Sequence, residues 1–151
     1  MQPGNEPKLI FPGLAGFYAS VSDLWYPMIR IALGAILFIH GWNKFNGPGL
    51  AGVTKYFGSL GLPAPGVLAG SAIFLETVGC LCIVIGLFTR FFAAALAIEL
   101  LIGMIAAHLA KGFGVGAGGY EYILFLGIVA FAIALRGGGP YSADRLIGKQ
   151  L

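Results

Sequence analysis

Residues 31–49, IALGAILFIHGWNKFNGPG, decide how the chain is read. The run IALGAILFI carries no charge and no hydrogen-bonding side chain, so it is at home in hydrocarbon. It passes at once into His40, Asn43 and Lys44, then into the turn signals Asn46-Gly47 and Pro48-Gly49. An apolar helix that finishes in an imidazole, an amide and an ammonium is either the wet end of a membrane helix or the mouth of a site between helices.

The rest of the chain extends the apolar half of that pattern. Of its 151 residues 58% are hydrophobic and only 10% are charged, and the mean hydropathy is +0.90. Lipid is therefore the solvent expected for most of it. Four spans are predicted, over residues 24–42, 66–87, 91–110 and 121–135. In the first, Asp23 serves as a cap, Pro27 sits in the first turn, and Trp25, Tyr26 and Trp42 mark the two interfaces. Arg136 is placed to snorkel at the end of the last. Backbone groups must be satisfied inside hydrocarbon, which selects helices. The expected fold class is therefore all-α, a four-transmembrane-helix up-down bundle. It is organised as an N-terminal tail with an interfacial segment (1–23), a membrane domain (24–136) and a C-terminal tail (137–151). Between the first two spans, VTKYFGSLGLP has the pattern of an amphipathic piece lying along the surface. Gly66 with Gly70, and Ala93 with Ala97, are small-residue pairs suited to helix contact.

The formal charge of +3 does not point to nucleic acid, because the nine basic residues are scattered at segment ends. They act instead as an orientation signal. Lys8, Arg90, Arg136, Arg145 and Lys149 fall on the side of the termini, against Lys44, Lys55 and Lys111 on the other. That bias predicts a prokaryotic plasma-membrane protein with both termini in the cytoplasm. Cys80 and Cys82 point about 200° apart on a helix and read as core filler, not as a redox pair. HExxH, GxSxG and CxxCH are missing, no metal site is predicted, and the run GFGVGAGG lacks the lysine and hydroxyl of a phosphate loop. It reads as a flexible turn.

Three ionisable residues fall inside the predicted spans: Arg30, Glu76 and Glu99. Each is expensive if it faces lipid at depth. Counted at about 1.5 Å per residue, Arg30 lies about 10 Å, Glu99 about 12 Å and Glu76 about 16 Å from the terminal side, so one arginine is expected to face two carboxylates. Such a network fixes helix register without any catalysis. It also leaves one excess negative charge unless a proton is shared, which makes Glu76 and Glu99 proton-relay candidates. At the opposite face His40, Asn43, Lys44, His108, Lys111, Tyr120 and Glu121 gather near the ends of three helices. Glu121 is expected to orient a histidine or to pair with Lys44. The candidates for holding a bound molecule are Arg30, His40, Lys44, His108 and Glu121. His108 lies about 180° around the third helix from Glu99, so the two share a channel only if that helix bends near its end.

The segments RIALGAILFIHGWNKF and FLETVGCLCIVIGLFTR, in that order, resemble the DoxX family of small four-helix membrane proteins, over residues 26–139. The resemblance places the family pattern on Arg30, Gly34, Gly41 and Lys44, and on Glu76, Gly79, Gly86 and Arg90. Cys80 stands where many members have another glycine. The family is linked with thiosulfate and quinone oxidoreduction, and some members look like membrane partners of soluble thiol or oxidative-stress enzymes. The resemblance therefore implies a membrane subunit tied to sulfur or thiol redox chemistry and a soluble redox-enzyme partner. A quinone is the expected cofactor, its headgroup held by His40, Lys44 or Arg30. No signature of haem, iron–sulfur, flavin or a reactive disulfide supplies electrons, so an oxidoreductase subunit is expected rather than a complete electron-transfer enzyme. Two alternatives stand beside it: a proton or small-molecule pathway through Arg30, Glu76 and Glu99, and a membrane scaffold that recruits a soluble enzyme. The apolar faces suit contact with lipid and with a second copy of the chain equally.

Overall fold

A computed structural model describes residues 9–151. Lys8, counted above toward the charge of the terminal side, lies outside the described residues. Every element is helical: α1 (Ala15–Val21), α2 (Trp25–Asn46), α3 (Gly49–Ser59), α4 (Pro65–Ile85), α5 (Thr89–Lys111), α6 (Glu121–Arg136) and α7 (Ala143–Ile147). Two of these are not uniform. α4 contains a π turn at Leu75–Gly79, and α5 contains one at Met104–His108 followed by a 3₁₀ turn at Leu109–Lys111.

The bundle is all-α, but the expectation of four membrane crossings is overturned. Among the described residues two helices are long and apolar enough to cross, α4 with 21 residues and α5 with 23; their mean hydropathies are 2.2 and 2.1. A third is obtained only by joining Pro12–Val21 to α2 as one span bent by 48°. α2 carries Arg30 within it and His40, Asn43 and Lys44 in its last turns, which dilutes its apolar run. α6 has 16 residues, about 24 Å of helix against about 30 Å of hydrocarbon. It gains no earlier start, because the glycine-rich connection folds back on itself: Tyr120 N–H donates to Gly112 O and Glu121 N–H to Phe113 O, each at 3.0 Å.

α2 packs along the second half of α4, α5 along α6, and α3 against the first half of α4. Leu33 and Leu37 of α2 meet Cys80 and Ile83 of α4, Leu96 of α5, and Ala130 and Ile133 of α6 in one buried core. Ala93 and Ala130 are both fully buried, and their small side chains suit the close approach of α5 to α6. Cys80 and Cys82 are free thiols, the first buried in this core. The Gly66 and Gly70 pair faces α3 rather than a second membrane helix, with Thr54 at 3.8 Å and Leu50 at 4.0 Å from where each Cβ would sit.

The end of the bundle nearest the chain termini is closed by the segment after α6, which the sequence assigns to a tail. The Tyr26 hydroxyl donates to Gly137 O, and Arg30 donates to Gly138 O at 2.5 Å and to Tyr141 O at 2.9 Å. Asp144 is fully buried. Its carboxylate accepts from Phe88 N–H at 2.7 Å, from Thr89 N–H at 3.0 Å and from the Thr89 hydroxyl at 2.7 Å. A carboxylate at that position satisfies the free amides of the first turn of α5 and complements its dipole. Gly86 turns the chain between α4 and α5 at φ +74°, and a Cβ there would run into the Arg30 guanidinium and Ser142.

Candidate functional site

The α2–α4 register decides which ionisable groups meet. A Cβ on Gly41 would sit 2.6 Å from the backbone of Glu76, and one on Gly34 would sit 2.9 Å from the carbonyl oxygen of Cys80. Glu76 is therefore level with Gly41, while Arg30 is level with Gly86. Gly41 lies eleven residues beyond Arg30 on α2, about 16 Å along the axis. The expected cluster of Arg30 with Glu76 and Glu99 is not formed. Arg30 is spent on the carbonyl oxygens of the C-terminal segment. Depth counting misplaced it because it started both helices level with one another, whereas α2 begins beside the folded-back C-terminal segment.

Glu76 pairs with Lys44 instead. Lys44 Nζ and Glu76 Oε1 are 2.5 Å apart, and this is the one ion pair found among the described residues. Lys44 sits one helical turn beyond Gly41, so the missing side chain at Gly41 lets α4 approach closely enough for the ammonium to reach the carboxylate. The other oxygen, Glu76 Oε2, is buried with no hydrogen-bond partner, and so is Glu99 Oε2.

Both carboxyl groups line a cavity of about 520 Å³ bounded by α3, α4 and α5. Lys44 and His108 line it too, and Val53, Tyr56, Phe57, Leu68, Ala72 and Ile98 contribute to its largely apolar wall. Both π turns border this space: Glu76 lies in one and His108 ends the other. A π turn inserts an extra residue and rotates the succeeding side chains by about 100° relative to an α-helix. That rotation covers roughly half of the angle of about 180° that regular helix geometry puts between His108 and Glu99, and both residues line the cavity. His108 Nδ1 lies 2.8 Å from Gly118 O. A carbonyl only accepts, so Nδ1 carries a proton and donates in this contact.

Of the candidates taken from the sequence, the cavity gathers Lys44, Glu76, Glu99 and His108 and leaves out Arg30, His40 and Glu121. His40 and Glu121 are exposed. The expected pairing of Glu121 with Lys44 is replaced by that of Glu76 with Lys44. The glycine-rich connection supplies no lining residue; its link to the site is the Gly118 carbonyl that holds His108. Sequence reasoning missed α3 as a wall. The available signal was the amphipathic pattern of VTKYFGSLGLP, whose apolar side faces the cavity and not lipid. The two π turns carry no comparable sequence signal.

These features define a class: a small helical integral membrane protein with a largely apolar cavity between its helices and four ionisable side chains in its lining. The chain belongs to the DoxX family, whose model matches residues 27–109, a segment that holds Lys44, Glu76, Glu99 and His108. It is 31% identical over 122 residues to "Putative oxidoreductase CatD" of Bacillus subtilis (strain 168), covering 81% of this chain and 86% of that protein. It is 30% identical over 132 residues to "Inner membrane protein YqjF" of Escherichia coli (strain K12), covering 86% of this chain and 97% of that one. No solved structure matches the chain.

Proposed function

We propose that the chain is a membrane subunit of a redox system and holds a quinone-type lipid in the cavity. The headgroup lies among Lys44, Glu76, Glu99 and His108, and the tail runs along the apolar wall toward the bilayer. One observation carries this reading: a cavity of about 520 Å³, mostly apolar, is lined by two glutamates, each with a buried carboxyl oxygen that no protein group satisfies. Ligand sites combine an apolar body of this size with a few convergent polar groups, and buried polar atoms without partners call for an explanation. The relative named as an oxidoreductase supports the redox setting.

In this reading Lys44 donates to a headgroup oxygen, and Glu76, Glu99 and His108 exchange protons with it as it changes oxidation state. Lys44 and His108 take over the part that the sequence divided among His40, Arg30 and Lys44. The electrons come from a soluble donor docked at the membrane surface.

The test is quantitative mass spectrometry of lipophilic molecules retained by gently solubilised, washed protein, with an unrelated membrane protein prepared in parallel. Stoichiometric quinone retained only by this protein, and saturable binding of added quinone, are the expected results. Ordinary lipids alone, with no saturable binding to folded protein, would overturn the assignment.

A further inference from the structure

The polar part of the cavity lining is richer in open acceptors than in donors. The Glu76 side chain is only 6% exposed and gives Oε1 to Lys44, which leaves Oε2 buried and open. Glu99 Oε2 is open in the same way, and His108 spends its Nδ1 donor on Gly118 O. On the donor side Lys44 gives one of its three N–H groups to Glu76 and is the one ammonium facing the two open carboxyl oxygens, while the Ser71 hydroxyl serves Val67 O of its own helix. Tyr56 is half-exposed.

A molecule that only accepts hydrogen bonds leaves those open oxygens as they are, and an unpaired buried acceptor carries its full desolvation cost. A molecule with hydroxyl groups satisfies them. A proton residing on either carboxyl does not spoil the match, because a hydroxyl both donates and accepts whereas a quinone carbonyl only accepts. We infer that the cavity is matched to a hydroxyl-bearing aromatic headgroup, the reduced form of a quinone, in preference to the oxidised form. This rests on the quinone reading above and adds which form the site holds.

The experiment is an anaerobic binding titration of the full-length, detergent-solubilised protein with three short-tailed probes: a quinone, its reduced dihydroxy form, and the dimethyl ether of the reduced form. The reduced form should bind at least about tenfold more tightly than the other two, the scale of one hydrogen bond to a buried charged group. Glu99→Leu, with its thermal unfolding recorded alongside, should lose most of that preference. Glu99→Gln, which keeps an acceptor oxygen, should retain much of it. Equal or tighter binding of the oxidised form, or of the dimethyl ether, overturns the inference and leaves the quinone reading standing. Binding of none of the three by folded protein overturns both.

Discussion

The two ends of this bundle treat buried charge in opposite ways. At the terminal end Asp144 is fully buried and accepts three hydrogen bonds. Arg30 nearby donates to the carbonyl oxygens of Gly138 and Tyr141, with Nε its one buried atom lacking a partner. At the other end two carboxyl groups border a cavity, one ammonium reaches one of them, and an oxygen of each is left open. The first arrangement spends charge on holding the chain together. The second sets it along a cavity wall without protein partners, which costs stability and is the pattern expected where a ligand completes the set.

Removing the charge at the terminal end should therefore do the most damage. Asp144→Ala strips the cap from α5 and leaves the buried Thr89 amide and hydroxyl and the part-buried Phe88 amide without an acceptor, and should cost roughly 3–5 kcal/mol. Chemical denaturation in detergent micelles reads this directly. Lys44→Met comes next: it orphans Glu76, but the lysine is about one-third exposed, so the loss should be about 1–3 kcal/mol. The double variant Lys44→Met/Glu76→Met should recover most of that, and a double-mutant cycle on the same unfolding assay measures the coupling. Glu99→Leu should fall within about 1 kcal/mol of the parent or above it, because it removes a half-buried carboxyl whose buried oxygen no protein group satisfies. His40→Gln, on an exposed side chain outside the cavity, should shift stability by less than about 0.5 kcal/mol and leave ligand retention unchanged in the mass-spectrometric assay.

Much of this was legible in the sequence wherever the information is local. The residues that regular helix geometry groups with Glu76 (Ala69, Ala72, Cys80 and Ile83) form the buried face of α4. Of the residues grouped with Glu99, Ala95, Gly103 and Ala106 line the cavity and Ala110 does not. What failed was relative position. Nothing in a single helix says how far it slides along its neighbour, and the close approaches at Gly34 and Gly41 set a register that moves Arg30 away from both glutamates. The number of crossings failed for a related reason. The apolar stretch of α6 is real, but its length is fixed by how the glycines on either side fold, and those form turns instead of further helix. The role of Asp144 was hidden because a polar chain end gives no hint that it will return to cap a helix that begins 55 residues earlier.

The contrast between the ends is tested most directly by measuring unfolding of Glu99→Leu and Asp144→Ala side by side in the same detergent and denaturant series. Glu99→Leu should match or exceed the parent while Asp144→Ala falls well below it. Equal destabilisation of both would mean that Glu99 holds the fold together as Asp144 does, and would contradict a cavity whose open carboxyl is kept for a ligand.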